Sequence, residues 1–178
     1  EINIIERIPE LLKKVKSIKY VIICNYPGKK YLKNSLNNKK VKFLKFKEKD
    51  KFFAEKIEYQ KFNFNHELAI LYSSGTTGKP KCICHGSGGT LIQHLKEHQL
   101  HCNIKENDNI FYFTTCGWMM WNWLISALAS KASIVLFDGF PMYKKKDLLF
   151  RLTKKEKITL LGISAKLIDS FRKEKISI

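Results

Sequence analysis

The sequence contains no long run of apolar residues. Its longest apolar stretches, residues 21–24 and 118–124, are far shorter than the roughly 20 residues that cross a bilayer. Glu1 opens a polar first turn that does not resemble a signal peptide. We therefore expect a cytoplasmic protein without a membrane segment.

The sequence gives no disulfide pattern. The five cysteines are odd in number and contain no Cys-x-x-Cys pair, which favours reduced thiols and predicts neither disulfides nor a bound metal. One alternative stays open, because His94, His98 and His101 share one face of a predicted helix. With Cys82, Cys84, His85 and Cys102, they would form a metal- or thiol-binding module.

Acidic residues and arginines are few. There are 16 Asp and Glu against 33 Lys and Arg, giving a formal charge of +17, and such an excess can attract nucleic acid. Yet only Arg7, Arg151 and Arg172 are arginines, and the lysines are scattered in short runs. We expect a solvating lysine surface and no nucleic-acid partner, with a basic nucleic-acid-binding module as an alternative.

The chain is long enough, and at 44% hydrophobic apolar enough, to bury one core. After a lysine-rich connection at residues 29–65, apolar runs of strand length alternate with segments of helical periodicity. This order predicts an α/β fold with a mainly parallel sheet flanked by helices. Predicted strands lie at 20–24, 41–46, 68–72, 81–84, 110–113, 133–137 and 158–161, and predicted helices at 6–16, 89–102, 118–130, 145–156 and 165–173.

A loop rich in hydroxyls and glycines follows the predicted strand at 68–72. Glycine lets backbone N–H groups approach an anion, hydroxyls donate further hydrogen bonds, and lysine adds a mobile positive charge. Pro80 and the alternating residues after it exclude a Walker loop, which runs directly into a helix. The loop is therefore predicted to join two strands and bind phosphate. Its candidate residues are Ser73, Ser74, Gly75, Thr76, Thr77, Gly78, Lys79 and Lys81.

This nonapeptide resembles the phosphate-binding motif of the adenylate-forming (AMP-binding) superfamily. The resemblance implies that Ser73, Ser74, Thr76, Thr77 and the backbones of Gly75 and Gly78 contact the ATP phosphates, and that Lys81 supports the loop. It also implies ATP, Mg²⁺ and coenzyme A as the cofactor and co-substrates of an ATP-dependent acid–CoA ligase.

A second block, residues 111–124, narrows the resemblance. Its Gly-Trp-Met-Met-Trp-Asn core is similar to acetoacetyl-CoA synthetases, with acetyl- or propionyl-type synthetases as the alternative. The resemblance places Trp118, Met119 and Met120 near the acyl group or the pantetheine thiol, with Asn122 as a polar candidate. When the resemblance is set aside, most of the aromatic and Met side chains at residues 118–124 indicate a hydrophobic core.

The superfamily's later motifs have no counterpart before Ile178. We therefore expect residues 1–178 to be a fragment of one AMP-binding N-terminal domain, with the small C-terminal domain absent. No catalytic residue is expected within the fragment, which should be inactive alone.

Overall fold

The computed structural model of the protein describes residues 4–24, 40–46, 56, 58–73 and 78–176. The chain divides into two compact units, Glu1–Gln60 and Lys61–Ile178. The boundary between them falls within the lysine-rich connection at residues 29–65. No helix among the described residues is long and apolar enough to cross a membrane.

The first unit pairs a short helix with a two-stranded parallel sheet. Helix α1 (Ile8–Lys14) follows a 3-10 turn, Ile4–Arg7, and has Pro9 in its first turn, where a missing N–H costs no hydrogen bond. Strands β1 (Tyr20–Ile23) and β2 (Lys42–Lys45) lie side by side, with Val21 opposite Phe43. These elements confirm the predicted helix at 6–16 and the predicted strands at 20–24 and 41–46.

The second unit begins with a β-hairpin. Strand β3 (Glu67–Tyr72) pairs antiparallel with β4 (Cys82–Gly86), and Tyr72 lies opposite Cys82. The prediction that the Ser/Gly/Thr loop joins two strands is confirmed.

A three-stranded parallel sheet follows, flanked by helices. Its spatial order is β6-β5-β7, so β5 is central. The strands are β5 (Asn109–Tyr112), β6 (Ser133–Ile134) and β7 (Leu160–Gly162). The helices are α2 (Ser87–Lys96), continued by a π-helical turn Glu97–His101, α3 (Met119–Ser126), continued by a 3-10 turn Ala127–Ser130, α4 (Leu148–Lys155) and α5 (Ala165–Lys173).

The central strand carries the core on both of its faces. Ile110 is fully buried in a cluster with Trp123 and Leu124 of α3, whereas the next residue, Phe111, is buried in a second cluster with Leu149 of α4. Successive side chains of a strand point to opposite faces, so β5 is covered on both sides. Each such burial stabilises the fold by about 1.5–3 kcal/mol. The predicted α/β fold with a mainly parallel sheet flanked by helices is confirmed.

Gly162 is the position in this sheet where a side chain fits least. It pairs with Tyr112 across β5 and β7, and an added Cβ would lie 2.1 Å from Cδ2 of the Tyr112 ring. That ring packs against the Ile110 cluster and is held by its neighbours. The close approach therefore requires glycine.

We expect Gly162→Ala to lower the free energy of unfolding by about 1–3 kcal/mol, the usual cost of overpacking a core. Thermal or urea denaturation measures the change. Gly89→Ala is the matched control, because nothing lies within 4 Å of its added Cβ and alanine favours the helix. An unchanged melting temperature for Gly162→Ala would contradict the close packing of Tyr112.

Candidate functional site

The two ends of the predicted phosphate loop, Ser73 and Lys81, are joined by two hydrogen bonds that form the neck of the hairpin. The backbone N–H of Ser73 donates to the carbonyl of Lys81 at 3.0 Å, and the N–H of Lys81 donates to Oγ of Ser73 at 3.0 Å. This pair fixes the two ends of the loop in register. Because Ser73 Oγ accepts here, its own O–H proton is still available to a ligand.

The described part of the loop is exposed. Gly78, Lys79 and Lys81 are all solvent-accessible, and Gly78 has a φ of +159°. Four of the candidates, Ser74, Gly75, Thr76 and Thr77, lie outside the described residues, and their predicted contacts stay predictions. Behind the neck, the Cys82 thiol hydrogen-bonds and interacts electrostatically with the Tyr72 phenol and so raises its pKa.

A cavity of about 420 Å³ opens where β5 and β6 end. In parallel sheets, ligands bind outside the carboxyl ends of the strands, and 300–1,000 Å³ is typical of ligand pockets. The cavity is lined by residues 111–116, by Trp121 and Leu124 of α3, and by residues 135–139. It lies entirely within the second unit.

Comparison with known proteins decides the family. The profile described as "AMP-binding enzyme" matches residues 2–176. The chain belongs to the AMP-binding enzyme family.

Several relatives of this AMP-binding chain are named acetoacetyl-CoA synthetase. It is 56% identical over 113 residues to the acetoacetyl-CoA synthetase of Gallus gallus, covering 64% of this chain and 17% of that protein. It is 44% identical over 170 residues to that of Xenopus tropicalis, covering 92% and 24%. The solved acetoacetyl-CoA synthetase of Streptomyces lividans superposes with a TM-score of 0.80 at 34% identity, covering 96% of this chain and 25% of that one. The chain thus spans about a quarter or less of the length of these relatives.

The four predicted pocket residues of the AMP-binding chain lie at the start of α3. Trp118 and Met119 are exposed, at 69% and 42%, whereas Asn122 is half-buried and Met120 packs against the Ile110 cluster. None of the four lines the 420 Å³ cavity. Their roles near the acyl group stay predictions.

Sequence reasoning did not assign the cavity's own lining. Trp121, Thr114 and Thr115 belong to the block at residues 111–124 that carried the family resemblance, but they were not assigned to a pocket. Asp138 was not singled out in the sequence. The signal was available in the sequence. Polar residues directly follow two strands predicted to be parallel, at 114–116 and at 138, and such residues meet at one edge of a sheet.

Two of the histidines considered as metal ligands, His94 and His98, form part of a helix–helix contact. Ser126 Oγ donates its only proton to the carbonyl of Trp123 at 2.8 Å, so it accepts from Nδ1 of His94, also at 2.8 Å. His98 is fully buried, with neither ring nitrogen hydrogen-bonded within the described structure, and its ring packs edge-on against Trp123 at 4.3 Å. Glu97 accepts from the Trp123 indole at 2.8 Å.

These histidines do not converge on a metal. Among the described ranges, no group of three or more His, Cys, Asp or Glu residues could hold an ion. All five cysteines are free thiols and exposed. The His94 and His98 contacts with α3 account for their burial instead.

Burial changes how these side chains titrate. Burial lowers the pKa of His98, and nearby His94 lowers it further. The Trp123 backbone, which makes no hydrogen bond to the ring, and Glu97 oppose this shift. Burial likewise lowers the pKa of His94, reinforced by His85 and opposed by Glu97. The hydrogen bond from Gln93 lowers the pKa of Glu97, with smaller contributions from the Trp123 hydrogen bond and nearby positive charge, while burial opposes the shift.

Stability should therefore fall as the pH is lowered from 7 to 5. The unfolded chain protonates its histidines near their ordinary pKa of about 6.5, but the folded chain does so only at lower pH. The stabilisation is complete above pH 6.5 and is lost as the pH falls towards the lowered folded pKa. Melting temperatures across this range measure the effect.

A substitution should isolate the contribution of His98. We expect the melting temperature of His98→Phe to depend less on pH than that of the unmodified protein, since phenylalanine does not titrate. His101→Gln, at an exposed position, is the control and should keep the full dependence. An unaltered pH dependence in His98→Phe would contradict the assignment.

Proposed function

We propose that the protein carrying this chain is an ATP-dependent acid–CoA ligase that activates acetoacetate. Support comes from membership of the AMP-binding enzyme family and from relatives that are named acetoacetyl-CoA synthetase. The observation that carries the proposal is the hairpin neck. It holds the ends of a family-type phosphate loop in one register by two hydrogen bonds.

The chemistry of this reaction explains the loop. A carboxylate resists attack by a thiol, so an oxygen of the acid first attacks the α-phosphorus of ATP and releases pyrophosphate. The sulfur of CoA then attacks the acyl carbon, and AMP leaves. Charge builds up on the departing pyrophosphate, and donors fixed in place beforehand stabilise such charge most strongly.

Each loop residue has a role in this proposal. The hydroxyls of Ser73, Ser74, Thr76 and Thr77, the backbones of Gly75 and Gly78, and Lys79 bind the ATP phosphates. Lys81 supports the loop, and its backbone bond to Ser73 is the support that the described structure contains. Gly78 fits here because its φ of +159° is one that other residues rarely adopt.

The remaining substrates and partners follow from the same reaction. Trp118, Met119, Met120 and Asn122 are proposed to lie near the acyl group, with ATP, CoA and a carboxylic acid as partners and no nucleic acid or membrane. Mg²⁺ is proposed to enter with the ATP phosphates. We propose a cytoplasmic location.

The acid substrate can be tested before CoA enters. We expect acetoacetate to support ATP–pyrophosphate exchange by the full-length protein, with much weaker exchange on acetate, propionate or butyrate. Exchange with a different acid would keep the ligase and refute acetoacetate. No exchange with any of these acids would contradict adenylation of a short acid.

Loop substitutions test the phosphate contacts. We expect Thr77→Ala and Gly78→Ala each to lower the exchange rate by about 10²-fold, the usual cost of removing one preorganised donor. The first removes a hydroxyl and the second strains the backbone. Gly89→Ala, in helix α2, is the control and should exchange like the unmodified protein. Normal exchange in both loop variants would show that the loop does not hold pyrophosphate.

A further inference from the structure

Helices α2 and α3 are joined by directional hydrogen bonds as well as by packing. Glu97, in the turn that continues α2, accepts a hydrogen bond from Nε1 of Trp123 at 2.8 Å. Further along α3, Oγ of Ser126 accepts from Nδ1 of His94 at 2.8 Å. The His98 ring packs edge-on against the Trp123 ring at 4.3 Å. Two hydrogen bonds, about one turn apart on α3, therefore hold the two helices together.

These two bonds fix the rotation of α3 about its own axis. Trp123 and Ser126 are three residues apart and so share one face of the helix. Apolar packing has no direction, whereas a hydrogen bond weakens steeply when its angle changes. Each residue advances about 100° around a helix of 3.6 residues per turn. Both bonds therefore form together at only one rotation of α3.

The rotation of α3 decides where its other side chains point. The four residues predicted to lie near the acyl group are at the start of this helix, and Trp121 and Leu124 of the same helix line the 420 Å³ cavity. Glu97 and His94 do not line that cavity. A role for these two residues in binding the acid would therefore act through α3.

The other end of α2 is anchored to the hairpin that carries the phosphate loop. Helix α2 begins at Ser87, directly after β4 ends at Gly86. The N–H groups of Ser87 and Gly88 donate to the carbonyls of His66 and Phe64, at 2.8 and 2.9 Å. Helix α2 thus extends the strand that leaves the phosphate loop, and it connects the hairpin to α3.

Packing alone does not require a carboxylate at this contact. Glu97 is partly buried, and an apolar side chain of similar size would avoid the cost of removing a charge from water. A polar residue between packed helices can instead select one arrangement over its alternatives, as a buried Asn does in coiled coils.

We propose that Glu97 and His94 are positioning residues for the acid substrate, because their hydrogen bonds hold α3 at the rotation that binds acetoacetate. This inference rests on the proposed ligase function and on the predicted placement of the acyl group at the start of α3. The phosphate loop precedes α2 and is closed by its own hydrogen bonds. Its contacts with ATP do not depend on the rotation of α3.

The kinetics of ATP–pyrophosphate exchange by the full-length protein separate the two substrates. Trp123→Phe keeps an aromatic ring but removes the N–H, Glu97→Leu removes its acceptor, and Ser126→Ala removes the acceptor of His94. Each lowers kcat/KM for acetoacetate by about tenfold to 10²-fold, the scale of a small misplacement of a substrate. The KM for ATP is unchanged. Glu97→Gln retains an acceptor oxygen and recovers most of the loss.

A double variant tests whether Glu97 and Trp123 act through their shared bond. Glu97→Leu combined with Trp123→Phe loses no more activity on acetoacetate than either single variant, because both remove the same interaction. Losses that multiply in the double variant overturn the inference. Equal losses for acetoacetate and ATP, or no loss for either, overturn it as well.

Gln99→Ala is the matched control. Gln99 also bridges these segments, through a hydrogen bond to Oγ of Ser130 at 3.4 Å, but Ser130 lies beyond the end of α3. Its kcat/KM for acetoacetate stays unchanged, and a loss as large as that of Trp123→Phe overturns the inference. If Glu97→Leu does not fold, Trp123→Phe against Gln99→Ala carries the same test. If the unmodified protein shows no acid-dependent exchange, the ligase proposal itself fails and this inference falls with it.

Discussion

The structure of the second unit depends on the burial of β5 from both sides. Ile110 and Phe111, neighbours in sequence, are each almost completely buried in different clusters, one against α3 and the other against α4 and α5. Because these helices pack on a central strand, the chain segments that leave β5 and β6 are held at one edge of the sheet. The cavity at that edge follows from this arrangement.

The β3–β4 hairpin fixes the ends of the predicted phosphate loop. A loop that grips a flexible polyphosphate must keep its donors in place without a ligand, since ordering them during the reaction would cost binding energy. The bonds between Ser73 and Lys81 join the loop ends. Antiparallel pairing then continues through Tyr72 and Cys82. The sheet therefore anchors the ends of the loop through hydrogen bonds that form without a ligand.

Much of this architecture could be predicted from the sequence, because periodicity is a local signal. Helix α5 has the predicted bounds, and both hairpin strands overlap their predictions. The rest depends on distant contacts. Helix α2 begins at Ser87, two residues before its prediction, because the carbonyls of His66 and Phe64 accept from Ser87 and Gly88. Likewise, the strand predicted at 133–137 ends at Ile134, and residues 135–137 line the cavity instead. No local pattern signals this difference.

In the proposed reaction, an acid oxygen attacks the α-phosphorus of ATP while the hairpin loop holds the pyrophosphate. Isotope transfer tests it most directly in the full-length protein, using acetoacetate labelled with ¹⁸O in its carboxylate, together with ATP and CoA. We expect one ¹⁸O atom in each AMP released, because the acid oxygen stays on phosphorus when the thioester forms. Label in inorganic phosphate or pyrophosphate, with unlabelled AMP, would contradict it.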